Sequence, residues 1–398
     1  MAKLTVEDID VKDKRILMRV DFNVPLEDGK VANDKRIRGA LSTIKYISDQ
    51  GGKLILMSHL GRPKGKRVRE MSLKPCVPVL SELLGKTVVF AADCIGEPAH
   101  AAVDALGSGD VLLLENLRYY KEETDNDPEF AAKLAKLGDI YVNDAFGTAH
   151  RAHASTVGVT RHFQLCAAGC LMMKELDYLG KALEHPERPF VAIMGGAKIS
   201  GKIDVISNLL PKVDKIIVGG GMSYTFFKAQ GLEIGKSLLE EDRIGVAKAL
   251  LKEGTDKLVL PVDCLVTDHL DFDGRKVGSL NTVPADAIPA HAEAVDIGPE
   301  SINVFGSILR DAKTIVWNGP MGVFEIDETA RGTYAVAKML SDATENGAVT
   351  IIGGGDSAAA VDKAGVADKM SHVSTGGGAS LEFLEGKVLP GVAALTDK

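Results

Sequence analysis

Four arginines stand just after apolar runs in the first half of the chain, and two lysines stand among glycines near its middle. Arg36 opens an amphipathic stretch, Arg62 follows His59, Leu60 and Gly61, Arg118 ends LLLENLR, and Arg151 lies in GTAHRAH. A guanidinium is always charged and presents a planar fork, so a cluster of them suits a phosphate or a carboxylate. Each charge-assisted hydrogen bond contributes roughly 1.5–3 kcal/mol, and a few would hold a small multiply charged acid. Asp21 and Asn23, in RVDFNVP, can receive the hydroxyls of such an acid or orient the arginines. Any one arginine also fits a solvated surface charge. Their shared placement after apolar runs is what predicts an anion pocket.

The lysines sit in FVAIMGGAKISGKID, residues 190–204. Its apolar start predicts a strand over residues 190–194. Gly195 and Gly196 allow a sharp turn and bring backbone N–H groups close to a ligand. Ile199, Ile203, Ile206, Leu209 and Leu210 then fall at helix spacing. A strand ending at glycines beside a helix N-terminus is an anion site, to which Lys198 and Lys202 add mobile charge. Gly196, Gly201 and Lys202 keep P-loop spacing, but Ile203 stands where that motif needs Ser or Thr to hold magnesium. The stretch fits equally an ordinary strand-turn-helix corner with two solvated lysines.

Glycine triplets follow apolar runs at 219–221, 353–355 and 376–378. Bare backbone there predicts a nucleotide or phosphate surface. Asp356 and Ser357 open the helix after the second triplet. They read as helix caps or, more sharply, as a magnesium contact and a phosphate donor. Glu325, in WNGPMGVFE, is placed to hold a ribose hydroxyl or to be a solvated loop residue.

Alternating strands and helices must position these groups. Strand candidates are residues 15–22, 53–58, 87–91, 111–117 and 140–145, then 190–194, 215–218, 258–262, 314–317, 349–352 and 372–374. Amphipathic stretches lie between them, such as 36–49 with Asn33 and Asp34 as cap candidates. Near-continuous apolar strands alternating with helices predict parallel sheets covered on both faces. Strands of the first half end in arginine, histidine or acidic groups, and those of the second half in glycine clusters. The change comes at the helix candidate CLMMKELDYLGKAL. The expected fold is α/β: two doubly wound, Rossmann-like domains joined by a helical hinge, residues 1–172 and 173–383. A single barrel is the competing layout. In doubly wound sheets ligands bind at the carboxyl ends of strands, where both residue styles gather.

The chain of 398 residues suits two domains, and 45% hydrophobic with 26% charged residues is ordinary for a globular protein. A net charge of −8 argues against general binding to nucleic acid or an anionic membrane. The run RPKGKRVR is short and lacks aromatics, and it reads as a solvated loop. Five scattered cysteines argue against a disulfide framework and for a reducing compartment. Cys166 and Cys170 read as small buried residues rather than a metal site. The polar start and the lack of an apolar run near 20 residues predict a cytoplasmic protein that does not enter a membrane.

An acid-anion pocket on one half and a nucleotide surface on the other imply phosphoryl transfer between two bound ligands. A carboxylate acceptor is already ionised, so alignment and charge neutralisation suffice and no general base is needed. A P-loop NTPase is disfavoured by Ile203. A nicotinamide dehydrogenase would need GxGxxG after the first strand. Another nucleotide-binding phosphotransferase, or a binding module without activity, is the remaining alternative.

The chain resembles phosphoglycerate kinase of bacterial type over essentially its whole length. The resemblance rests on RVDFNVP, SHLGRP, LLENLR, NDAFGTAHRAHAS, GGAKISGKI, VGGGM, WNGPMGVFE, GGGDS and STGGGASLE, in that order. It implies ADP or ATP on the second domain, 3-phosphoglycerate or 1,3-bisphosphoglycerate on the first, Mg2+ as cofactor, a monomer, and a tail at about 384–398 returning to the first domain. It implies Asp21, Asn23, Arg36, His59, Leu60, Gly61, Arg62, Arg118 and Arg151 as the phosphoglycerate set. Lys202, Gly219, Gly220, Asn318, Glu325, Gly353, Gly354, Gly355, Asp356 and Ser357 are the implied nucleotide set, with Asp356 toward the metal. Arg36, Lys198, Gly354 and Gly377 are the groups implied at the transferred phosphoryl. Gly201 departs from relatives that often carry a polar residue there, and Ser357 stands where threonine is common.

Overall fold

Apolar runs in the first half become strands whose residues are buried along nearly their whole length. In the computed structural model, which describes residues 2–398, they are β1 (Arg15–Arg19), β2 (Lys53–Met57), β3 (Val88–Phe90), β4 (Val111–Leu113), β5 (Ile140–Asn143) and β6 (Cys166–Ala168). They form one parallel sheet in the order β3-β4-β2-β1-β5-β6. Helix α1 (Lys35–Asp49) lays Ile37, Ala40, Ile44 and Ile47 on it. Burying each such side chain contributes roughly 1.5–3 kcal/mol. Of the two cap candidates, Asn33 takes the Lys35 N–H at 3.0 Å, while the Asp34 carboxylate pairs with Arg38 one turn on. The last strand, β6, escaped the sequence reading because Cys-Ala-Ala carries little apolar bulk.

Helix α2 (Cys170–Glu184) follows. Thr43 Oγ1 accepts from Cys170 N at 2.8 Å, and Asp144 Oδ1 from Met172 N at 2.9 Å. The chain divides into two units within this helix, at Asp177/Tyr178, a little later than the sequence expectation of 172/173. The first unit also takes in Val388–Lys398. That tail donates Gly391 N–H to Ala149 O at 2.8 Å and accepts Leu4 N–H on Thr396 O at 2.8 Å.

The second unit, Tyr178–Lys387, has its own parallel sheet: β7 (Phe190–Met194), β8 (Lys215–Val218), β9 (Leu258–Val259), β10 (Thr314–Asn318), β11 (Val349–Gly353) and β12 (His372–Val373). The order β9-β8-β7-β10-β11-β12 reverses between β7 and β10, the point where doubly wound sheets bind ligands. Met194, Asn318 and Gly353 stand side by side at the carboxyl ends of β7, β10 and β11. Around them lie α3 (Ile203–Leu209), α4 (Met222–Ala229), α5 (Gly355–Lys363) and α6 (Gly377–Leu384). An antiparallel sheet of Leu280–Pro284, Asp263–Thr267 and Glu293–Ile297 adds to this unit. Its edge strand Leu280–Pro284 is largely exposed with little apolar periodicity, so it carries no legible strand signal.

Candidate active site

In the first unit the expected acid-binding residues follow carboxyl ends of neighbouring strands, Asp21 and Asn23 after β1, His59 to Arg62 after β2, Arg118 after β4 and Arg151 after β5, except Arg36, which stands in the first turn of α1. Arg62, Arg118 and Arg151 line one cavity of about 440 Å³, together with Lys64, Tyr120, Lys121 and His153. Arg118 is buried, and burial with the charges of Arg19 and Arg151 pushes its guanidinium down to about 10. Among the described residues its Nε has no hydrogen-bond partner. This is an excess of buried positive charge that an anion would neutralise.

Gly61 connects the cavity to the other predicted residues. Arg118 Nη1 donates to its carbonyl at 2.9 Å, and its N–H donates to Asn23 Oδ1 at 2.8 Å. Gly61 has φ +62°, and a Cβ there would meet the Met71 sulfur at 2.9 Å, so glycine is required. Asn23 N–H in turn donates to Asp21 Oδ1 at 3.3 Å, and Arg36 Nη1 to Asp21 Oδ2 at 3.0 Å. Leu60 is buried beneath the turn. His59 is buried as well, and burial with the charges of Arg19, Arg118, Arg36 and Arg151 holds its pKa well below the usual histidine range. His59 is therefore a neutral ring at physiological pH.

In the second unit the glycines divide into two kinds. Gly195, Gly196, Gly219 and Gly220 do not offer their N–H groups to a ligand, contrary to the sequence reading of the first pair. Those groups donate to the carbonyls of Asn318, Pro320, Met194 and Met321, all at 2.9 Å. A Cβ on Gly195 would lie 2.2 Å from the Pro320 carbonyl, and one on Gly219 2.5 Å from the Met321 sulfur. These glycines let backbone segments pack face to face at the strand ends. Gly353, Gly354 and Gly355 behave differently. Gly354 has φ +88° and turns the chain from β11 into α5, where a Cβ on Gly355 would meet nothing within 4 Å. A Cβ on Gly377 would lie 3.0 Å from Gly355 N, so the N-termini of α5 and α6 converge. Their first-turn N–H groups have no partner within the helix and form a positively polarised corner.

The lysines also differ from expectation. Residues 199–202 form turns, and α3 begins only at Ile203. Lys202 N–H bonds to Ile199 O at 2.8 Å, and Ser200 N–H is taken by Glu240 Oε2 at 3.1 Å, which holds Gly201 outside the helix. Lys198, just before this turn, is exposed. Lys202 is half-buried, and its Nζ donates a hydrogen bond to Asn318 Oδ1. Burial pushes the Lys202 amine down to about 8, against an opposing pull from Asp356 and Glu385. Ser357 is buried with its Oγ accepting from Gly319 N at 2.6 Å, so its oxygen is tied to the loop after β10. Glu325 is half-buried in that loop.

Asp356 stands exposed in the first turn of α5, and among the described residues its carboxylate takes no hydrogen bond. Groups of three or more His, Cys, Asp or Glu able to hold a metal are absent among the described residues. One open carboxylate fits Mg2+, which is commonly carried by substrate phosphates and one or two carboxylates.

The sequence reading missed Arg19, Glu123 and Ser155, which are fully buried behind the acid-binding residues. Arg19 begins the RVDFNVP motif, and a charged residue at the end of an otherwise apolar strand was the signal available. Lys64 and Lys121 in the cavity wall were also missed, because a lysine in the basic run RPKGKRVR and one among the acidic residues of KEET both look solvated.

The phosphoglycerate kinase family model matches residues 6–387. The chain is 58% identical over 401 residues to the phosphoglycerate kinase of Chloroherpeton thalassium and 59% identical over 402 residues to that of Pelotomaculum thermopropionicum, covering 100% of each chain. The solved phosphoglycerate kinase of Coxiella burnetii is similar at 42% identity with a TM-score of 0.88, covering 98% of both chains. That of Pyrococcus horikoshii is similar at 33% identity with a TM-score of 0.84, again over 98% of both.

Proposed function

The chain belongs to the phosphoglycerate kinase family, and from that premise we propose how its residues share the reaction. The enzyme transfers a phosphoryl group reversibly between 1,3-bisphosphoglycerate and ADP, giving 3-phosphoglycerate and ATP. The arginine cavity of the first unit, with Arg118 buried in its wall, is the observation that carries the assignment of roles. Arg62, Arg118 and Arg151 take the phosphate that stays on the acid. Asp21, Asn23, His59 and Arg36 orient its hydroxyl and carboxyl end, with Leu60 and Gly61 shaping the turn between them. The nucleotide lies at the carboxyl ends of the second sheet. Lys202 and the N-terminus of α5, from Gly353, Gly354 and Gly355, hold its phosphates, and Ser357 and Asn318 brace that corner. Gly219, Gly220 and Glu325 lie where the nucleoside would rest.

In the direction of ATP use, a carboxylate oxygen of 3-phosphoglycerate forms a bond to the γ-phosphorus as the bond to the β-γ bridging oxygen breaks. No proton moves, so the protein's task is alignment and charge neutralisation. Lys198 and Arg36 neutralise the transferring group, and the N-terminus of α6 at Gly377 adds its polarised N–H groups to those at Gly354. Asp356, together with the nucleotide phosphates, would hold Mg2+, which would supply further neutralisation of phosphate charge. The two ligand sets lie on different units, so transfer in line requires the units to close. The enzyme acts as a monomer on small molecules in the cytoplasm; no helix among the described residues is long and apolar enough to cross a membrane.

A coupled assay with 3-phosphoglycerate and Mg-ATP tests the roles when run on Arg62, Arg118 and Arg151 variants, each expected to raise the KM for 3-phosphoglycerate and leave that for ATP. Small-angle scattering tests closure: compaction with both ligands is expected, and unchanged profiles with either or both would reject it.

A further inference from the structure

Arg19 and Glu123 are both 0% exposed, and neither lines the arginine cavity. Two charges buried this completely cost stability unless each is well paired, and apolar residues of similar size often serve a core better. Ser155 joins them. Its Oγ accepts from Arg19 Nε at 2.8 Å and donates to Glu123 Oε1 at 2.6 Å, while its N–H donates to Glu123 Oε2 at 2.9 Å. The hydroxyl proton and a lone pair are thus both committed, which fixes its direction. Tyr141, also buried, donates its hydroxyl to Ser155 O at 2.8 Å and braces the same residue.

The far end of Arg19 reaches the substrate side. Its Nη1 donates to the Val20 carbonyl, and its Nη2 lies 3.1 Å from His59 Nδ1. A guanidinium only donates, so Nδ1 must accept, and the single proton of the neutral ring sits on Nε2. The charged groups around this ring are Arg19, Arg36, Arg118 and Arg151, with Asp21 Oδ1 at 3.9 Å from Nδ1.

We propose that Glu123 and Ser155 are positioning residues for the acid-substrate site: they lock Arg19, and through it hold His59 as an Nε2–H donor to a substrate oxygen. The inference rests on the reading that His59 serves that site. It explains why a glutamate and an arginine are retained in the core behind the cavity. They set a tautomer that neither burial nor a nearby positive charge would set alone.

The test uses the full chain with 15N-labelled histidine. In the wild type, His59 should show one tautomer, with Nε2 protonated, and its signals should move when 3-phosphoglycerate is added. Ser155→Ala and Arg19→Lys should mix the tautomers. Each should raise the KM for 3-phosphoglycerate roughly three- to tenfold, the effect of one lost positioning hydrogen bond, with the KM for Mg-ATP unchanged. Glu123→Gln should act alike; if it does not fold, Ser155→Ala removes one atom only and still decides. Variants that keep the single tautomer and the wild-type KM overturn the proposal, as does an equal rise in both KM values. If wild-type His59 signals ignore 3-phosphoglycerate, the site reading itself fails, whatever the tautomer.

Discussion

Lys202 and Asn318 are joined by a short hydrogen bond from Nζ to Oδ1 at the carboxyl end of β10. One amide oxygen does not replace the water that the ammonium has lost, and the amine is pushed down to about 8 from its ordinary 10.5. Between those two pH values the unfolded chain binds a proton that the folded one has released. Stability contributed at this residue therefore rises with pH from about 8 to 10.5, and below 8 the cost of the partly desolvated charge is fully present. Lys202→Met is expected to stabilise the ligand-free protein at pH 7 by on the order of 1–3 kcal/mol, and to weaken ADP binding. Urea unfolding at neutral and alkaline pH measures the first effect, which should shrink as the medium becomes alkaline. Calorimetry in buffers of different ionisation enthalpy, just above pH 8, should show proton uptake on ADP binding in the wild type only. A destabilised Lys202→Met protein at pH 7 would count against this account.

The two kinds of glycine should separate on substitution. Gly195→Ala drives a methyl to 2.2 Å from the Pro320 carbonyl and 2.5 Å from that of Gly319. Backbone cannot yield as a flexible side chain does, so a loss of about 2–4 kcal/mol is expected by thermal or urea unfolding. Gly355→Ala meets nothing within 4 Å. Its stability should stay within about 0.5 kcal/mol of wild type, while the KM for ATP rises because the methyl occupies the polarised corner. Equal stability losses in the two variants would erase the distinction.

That division marks where sequence reasoning stops. A glycine triplet reads the same whether a ligand or a neighbouring strand end fills the space above it. Only the paired N–H groups of Gly195, Gly196, Gly219 and Gly220 reveal which it is. The parallel sheets were legible because both faces of each are covered, so β1, β7 and β10 are apolar runs with little alternation. The arginine set was legible because Arg62, Arg118 and Arg151 each follow such a run. Glu123 and Ser155 were not legible: a glutamate in KEET and a serine in AHAS carry no local sign that the serine will join the glutamate to Arg19 inside the core.

Asp144 should give the protein a pH dependence in the mildly acidic range. It is fully buried, and burial pushes its carboxyl up to about 6 although Met172 N–H donates to it. The folded protein holds this proton more tightly than the unfolded chain does. Its stability contribution is therefore complete below about 3.8 and is lost as pH rises through about 6. Asp144→Asn, which stays neutral, should match wild type near pH 4 and exceed it at pH 8 by on the order of 1–3 kcal/mol. A variant less stable than wild type at pH 8 would mean that the N-terminus of α2 outweighs the cost of burial.

Lys198 offers the sharpest test of the phosphoryl-transfer roles, because it is exposed, in the loop before α3, rather than in the core. Removing its side chain should leave unfolding curves within about 0.5 kcal/mol of wild type, as for surface positions generally. In the roles proposed above, its ammonium answers the charge that develops during transfer, and Lys202 and the N-terminus of α5 hold the ground-state phosphates. A contact that strengthens only in the transition state appears in kcat, not in KM. Lys198→Ala is thus expected to lower kcat by roughly a hundredfold or more, with both KM values changed by less than about threefold. Lys198→Arg keeps the charge but spreads it over a wider fork, and should recover part of the loss. Steady-state kinetics in the coupled assay reads all four values. A variant with near-normal kcat and a raised KM for ATP would move Lys198 from the transferring group to ordinary nucleotide binding.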